Sequence, residues 1–130
     1  SISEIFEQKG EIYFRRIEHQ ILNEIIQSEE TFILSLGGGT PCYANNHELL
    51  IGDGIVSVYL KASIDTLFNR LTANKSKRPL IADKNDEEMK EFIAKHLFDS
   101  SFYYNHAQHK VNVNRKTIEE TVNDILNLLS

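Results

Sequence analysis

A chain of 130 residues with 41% hydrophobic and 25% charged side chains suits one small globular domain and leaves no room for a second. Its formal net charge of -5 argues against a nucleic-acid-binding or membrane-surface role, since both favour a basic face. The single cysteine, Cys42, excludes an internal disulfide framework and fits a reducing cytoplasm. We expect no metal site, because no group of Cys and His residues has the spacing of one.

The first 30 residues predict two helices. A short helix that Ser3 can cap ends at Gly10, and a longer helix follows over residues 11–27. On the longer helix Arg15 and Glu18 are three residues apart and therefore share a side. The ordinary interpretation of such a pair is a solvated salt bridge worth well under about 1 kcal/mol, and a functional pair is the alternative.

Residues 32–36 are mostly apolar and predict a buried strand that opens directly into Gly37, Gly38 and Gly39. Glycine lets main-chain N–H groups approach a ligand closely. Open α/β sheets bind ligands at the carboxyl ends of their strands. A plain turn is the alternative, but three consecutive glycines favour a ligand-binding loop.

The rest of the chain alternates strands with helices. The pattern predicts a strand over 55–60, a Ser63-capped helix over 64–73, a helix over 86–98 that continues through 101–108, a strand over 111–113, and a last helix with a Thr117–Glu120 capping box. In this last helix the side chains expected to face the core are Ile118, Val122, Ile125, Leu126 and Leu129. Such alternation predicts an α/β fold with a parallel sheet covered on both faces.

Residues 74–85 predict a loop, since they lack clear periodicity and are locally basic around Arg78. A basic loop in an acidic protein is commonly a solvated connection. It is equally what a lid over phosphates requires, and the sequence leaves both interpretations open.

Several of these segments, taken together, resemble the shikimate kinase family of P-loop small-molecule kinases. The matching segments, in the family's order, are residues 1–7, Gly10-Glu11, residues 14–18, the three glycines and Arg78-Pro79-Leu80. The resemblance implies one domain over residues 1–130 with a three-layer α/β/α, nucleoside-monophosphate-kinase-like fold. It also implies transfer of the γ-phosphoryl group of ATP to a hydroxyl of shikimate, in aromatic amino acid (chorismate) biosynthesis, by a cytoplasmic monomer without nucleic-acid or membrane partners.

The resemblance also implies roles for individual residues. Residues 1–30 would form the shikimate-binding helices, with Arg15 holding the substrate carboxylate and Glu18 orienting Arg15. Gly37, Gly38 and Gly39 would place backbone N–H groups against the ring. Arg78, on a lid over 74–85, would be catalytic and meet the transferring phosphate. The residues that would contact the nucleotide are Arg70, Arg78, Arg115 and Lys116.

Three features depart from the family pattern. The chain contains no Gly-x-x-x-x-Gly-Lys-Ser/Thr loop and lacks the family's aspartates for magnesium and for the shikimate hydroxyl. We therefore expect a first β-α-β unit to precede Ser1 in the complete polypeptide and to bind most of ATP and Mg²⁺, so that these residues, about three quarters of the family chain, would be inactive alone. Ser100 stands where the family usually has a second carboxylate-binding arginine, which predicts weaker shikimate binding.

Two other functions remain open at this point. One is a non-catalytic shikimate-binding or regulatory protein that has a substrate pocket but no phosphate loop. The other is a kinase for another small polyol acid such as gluconate, because the glycine-rich and lid features alone do not name the substrate.

Overall fold

The computed structural model describes residues 1–73 and 81–130. The elements are helices α1 (Ile2–Lys9), α2 (Glu11–Gln27), α3 (Asn46–Leu49), α4 (Ile64–Thr72), α5 (Asp86–Tyr104) and α6 (Ile118–Leu129), a 3₁₀ turn (Thr40–Cys42), and strands β1 (Val58–Lys61) and β2 (His109–Asn112). They fall into two compact units, unit 1 (Ser1–Ser57) and unit 2 (Val58–Ser130).

Unit 1 begins with the helical pair α1 and α2. A capping box starts α1: the Ser1 hydroxyl accepts from the Glu4 backbone N–H at 3.2 Å, and the Glu4 carboxylate accepts from the Ser1 amino group at 3.1 Å. The expectation that Ser3 caps this helix was wrong, because the helix already begins at Ile2 and Ser3 lies within its first turn. Gly10, at φ +86°, ends α1 and leads straight into α2.

The predicted strand over 32–36 is absent from the described structure, where these residues carry no helix or strand. Ile33 is 99% exposed, and both Phe32 and Leu34 are exposed as well. An apolar run indicates only that a segment could be buried in a sheet. A strand also needs a neighbouring backbone to accept and donate its hydrogen bonds, and unit 1 offers none to this segment.

Unit 2 contains a two-stranded parallel sheet, as the alternation of strands and helices predicted. Strands β1 and β2 pair in the register Val58↔His109 through Lys61↔Asn112. The helices α4 and α5 pack together around a core whose buried members are Ile81, Met89 and Ile93. Both strands begin two or three residues from their predicted starts, because pairing decides where a strand begins whereas apolar runs do not.

Helix α5 is a single 19-residue helix that begins at Asp86, as predicted, but ends at Tyr104 and does not continue through residue 108. Asn85 and Glu88 form a capping box at its start, and a similar box of Thr117 and Glu120 starts α6 as predicted.

The prediction that the apolar stripe of α6 faces the core was wrong for most of its residues. Ile118 is 86% exposed, and Val122, Leu126 and Leu129 are exposed too, whereas Thr121 is buried. Periodicity shows that a helix has an apolar face, but it does not show what covers that face. Among the described helices none has the length and apolar character that a membrane span requires.

Candidate functional site

Arg15 and Glu18 form a close ion pair on α2. The Arg15 Nη1 donates to Glu18 Oε1 at 3.0 Å, and the two side chains are only 19% and 18% exposed. The predicted pair therefore exists and is largely shielded from water. A solvated salt bridge, the ordinary interpretation of its spacing, does not describe it.

Aromatic rings hold the Arg15 guanidinium in place. Its Cζ lies 4.1 Å from the centre of the Tyr43 ring and 5.1 Å from that of Phe14, distances at which a cation is attracted to a ring face. The Nε atom is buried without a hydrogen-bond partner in the described structure, 3.9 Å from Glu11 Oε1. The guanidinium is thus held by the two rings and by its Nη1 bond to Glu18.

Tyr43 acts here as a neutral phenol. Burial raises its pKa above the ordinary value, and the neighbouring Glu11 carboxylate raises it further through its charge and a hydrogen bond, while Arg15 lowers it to a smaller extent. A neutral ring gives Arg15 a stacking surface without a second negative charge.

The glycine loop reaches the same guanidinium. A Cβ atom added to Gly39 would stand 2.6 Å from Arg15 Nη2 and 2.9 Å from Nη1, closer than real Cβ contacts. Gly39 has φ -87° and ψ -17°, which any L-residue can adopt. A side chain at Gly39 would therefore have to displace the flexible Arg15 guanidinium, although the backbone conformation itself does not require glycine.

Thr40 joins the loop to the ion pair. Its hydroxyl donates to Glu18 Oε2 at 2.8 Å, while its backbone N–H donates to Gly37 O at 3.1 Å. The sequence-based interpretation missed both Thr40 and Tyr43. A small hydroxyl residue directly after the three glycines was the available signal for Thr40, but nothing in the spacing pointed to Tyr43.

Two clefts in unit 1 border the pair. One, of about 290 Å³, is mostly apolar and carries Glu18, Gly37 and Thr40 on its wall. The other, of about 530 Å³, is lined by Glu11, Ile12, Arg15, Arg16, His19, Tyr43 and Ala44. A cation beside an acceptor and apolar walls suits a small carboxylic acid that also has an apolar part.

The predicted nucleotide residues belong to unit 2. Arg70 Nη2 donates to Val113 O at 3.3 Å, just beyond β2, and Arg115 follows closely in the left-handed region at φ +56°. Lys116 Nζ is 2.6 Å from Asp124 Oδ2, so this ammonium is already paired. Arg78 and residues 74–80 of the predicted lid lie outside the described residues, whereas Ile81, the first described residue of that lid, is buried in the core of unit 2.

Ser100 is 3% exposed on α5. We expect Ser100→Arg to lower the free energy of unfolding by about 1–3 kcal/mol, because a well-packed position would have to admit a long charged side chain. Urea denaturation measures this, with Phe98→Arg as the control, since Phe98 is 82% exposed on the same helix. Equal stability of the two variants would contradict the expectation. Weaker shikimate binding due to Ser100 stays a prediction.

Within residues 1–73 and 81–130, no three His, Cys, Asp or Glu side chains gather closely enough to hold a metal ion.

Comparison with known proteins agrees with this geometry. The family description "Shikimate kinase" matches residues 1–130. The chain is 72% identical to a shikimate kinase of Flavobacterium johnsoniae over 130 residues, all of this chain and 76% of that protein. It is 48% identical to a shikimate kinase of Flavobacterium psychrophilum over 129 residues, 99% of this chain and 75% of that protein.

Solved structures give the same result. The shikimate kinase of Bacteroides thetaiotaomicron superposes with a TM-score of 0.89 at 33% identity, covering 99% of this chain and 74% of that one. The shikimate kinase of Acinetobacter baumannii, solved in complex with shikimate, superposes with a TM-score of 0.81 at 28% identity. The match covers 99% of this chain and 69% of that one. The predicted P-loop kinase α/β fold class is confirmed, and the chain belongs to the shikimate kinase family.

Proposed function

We propose that unit 1 binds shikimate through the edge of the Arg15 guanidinium, so that a hydroxyl of shikimate can receive a phosphoryl group from ATP. The reaction is that of the family, phosphorylation of shikimate in aromatic amino acid biosynthesis. The close approach of Gly39 to Arg15 is the observation that supports the residue assignment most directly.

Arg15 supplies the charge and shape that a carboxylate requires. A guanidinium offers parallel N–H donors that match the two carboxylate oxygens, and such charge-assisted bonds are among the strongest in proteins. Glu18 and the Tyr43 ring hold the guanidinium before substrate arrives. Less conformational entropy is then lost on binding, and the substrate is fixed in one orientation.

The glycine loop completes the pocket. Because Gly37, Gly38 and Gly39 carry no side chains, a ring held by Arg15 can approach their backbone closely. The apolar cleft beside Glu18 and Thr40 excludes water from one side of that ring.

Phosphoryl transfer would draw on the cationic residues. In this reaction the γ-phosphoryl group passes from ATP to the shikimate oxygen, ADP leaves, and the hydroxyl proton is lost. Resemblance to the family supports Arg78 as the catalytic cation and Arg70, Arg115 and Lys116 as nucleotide contacts. Arg70 and Arg115 are near Val113 in the chain fold, whereas the pairing of Lys116 with Asp124 makes it the weakest of these candidates.

Substrate competition separates this function from its rivals. The complete gene product should phosphorylate shikimate with ATP, measured as ADP release, and should prefer it to gluconate. The solved enzyme–shikimate complex in the family favours this outcome. Preferential turnover of gluconate would overturn the substrate assignment, and shikimate binding without any ADP release would favour a non-catalytic binding protein.

A cytoplasmic location and a monomeric state are further proposals. The cytoplasmic location is supported by the family's role in biosynthesis, which uses cytoplasmic metabolites. The monomeric state is supported by the resemblance to the family.

A further inference from the structure

We infer that Asn46 is a positioning residue for the glycine loop and that His19 holds the Asn46 amide in its working orientation. The Asn46 side chain is 0% exposed, at the first residue of α3. Its Nδ2 donates to Thr40 O at 2.9 Å, and its Oδ1 lies 2.6 Å from His19 Nδ1. The inference rests on the proposed function, since it concerns the same shikimate site.

The hydrogen bonds permit only one arrangement of this network. A backbone carbonyl can only accept, so the Asn46 NH₂ group must face Thr40 and its Oδ1 must accept from His19. The hydrogen of His19 is then on Nδ1. Its Nε2 is left to accept from Asn23 Nδ2 at 3.1 Å, while Asn23 Nδ2 also donates to His19 O at 3.0 Å.

Thr40 connects Asn46 to the Arg15–Glu18 ion pair. Its carbonyl is held by Asn46, while its hydroxyl is held by Glu18, which in turn accepts from Arg15. Gly39 is the preceding residue and has almost no free space against the guanidinium. If the carbonyl of Thr40 were released, Gly39 and Glu18 would move relative to Arg15, and the carboxylate-binding edge would lose its position.

Three variants separate the contacts. Asn46→Asp keeps an acceptor toward His19 but sets a carboxylate oxygen against Thr40 O. His19→Leu removes the donor to Asn46, whereas His19→Asn restores a donor close to the Nδ1 position. Gln20→Leu, an exposed neighbour on α2, is the matched control.

In the complete gene product, Asn46→Asp and His19→Leu should raise the KM for shikimate about tenfold, as expected when a buried polar group loses its partner. The KM for ATP and kcat should change by less than about twofold, because the candidate nucleotide residues of this chain belong to unit 2 and not to unit 1. His19→Asn should recover to within about threefold of wild type. Gln20→Leu should match wild type.

A purely structural role predicts a different result. It would lower the midpoint of thermal unfolding and the amount of active enzyme, and hence kcat, without changing the KM for shikimate. That outcome, or an equal rise in both KM values, would overturn the inference. If Asn46→Asp does not fold, the contrast between His19→Leu and His19→Asn decides.

Failure of the proposed function would be visible separately. Wild-type protein that does not bind shikimate in calorimetry would refute the function. The positioning role can still be tested without ligand. If Asn46 positions the loop, Asn46→Asp should shift the backbone amide resonances of Gly37 and Gly39. Unshifted resonances would refute the inference.

Discussion

Replacing Arg15 by alanine should raise the dissociation constant for shikimate by on the order of a thousandfold, which corresponds to about 4 kcal/mol. The substitution removes two charge-assisted hydrogen bonds to the carboxylate, each worth roughly 1.5–3 kcal/mol. It also leaves the Glu18 carboxylate, only 18% exposed, without its cation and facing the substrate's negative charge. Isothermal titration of the complete gene product with shikimate measures the change.

Two further variants make this result specific. Arg15→Lys keeps the charge but loses the planar fork, so its affinity should fall between those of wild type and Arg15→Ala. Lys9→Ala removes an exposed cation in the last turn of α1, outside both clefts, and should change affinity by less than about twofold. Similar losses for Arg15→Ala and Lys9→Ala would contradict the assignment of Arg15 to the carboxylate.

Adding one methyl group to Gly39 should have the second largest effect. In Gly39→Ala the new Cβ would lie 2.6 Å from Arg15 Nη2, so the flexible guanidinium must leave its place between the loop and Tyr43. We expect shikimate affinity to fall on the order of a hundredfold, with little loss of stability, because the backbone at Gly39 already suits alanine.

A double-mutant cycle tests whether the methyl group acts through Arg15. If it does, Gly39→Ala should weaken binding no further in the Arg15→Ala background. Gly52→Ala is the control: its Cβ would meet Leu49 O at 3.7 Å, an ordinary contact, and affinity should stay unchanged. Additive losses in the cycle would mean that Gly39 contacts shikimate independently of Arg15.

Local sequence signals predicted helix starts better than strands. The Thr117–Glu120 capping box and Ser63 marked the starts of α6 and α4 correctly, since cap and first turn are adjacent in the chain. Residues 32–36 were predicted as a strand from the same kind of local pattern, but strand formation depends on a partner that is distant in sequence. The prediction that the apolar stripe of α6 is buried failed for the same reason, since burial depends on a partner surface that the local pattern does not show.

Some contacts of the candidate site could be predicted from local sequence, whereas others depend on tertiary packing. Arg15 and Glu18 are three residues apart on one helix, so their pairing could be predicted from helical geometry. Gly39 and Tyr43 lie against Arg15, and Asn46 is linked to the pair through Thr40, because the loop and the 3₁₀ turn pack on α2. Their contacts depend on tertiary packing, for which the sequence carries no periodic signal.

The parallel pairing of β1 with β2 has a consequence for the order in which unit 2 folds. The Ser63 backbone N–H donates to the Asn114 side chain at 2.8 Å, across a separation of 51 positions. Closing so long a loop costs entropy before any strand contact forms, whereas α4 and α5 are close in the chain and can associate early. During synthesis on the ribosome, β1 can therefore pair with β2 only after β2 has left the exit tunnel, and the joined helices shorten the loop that remains to be closed.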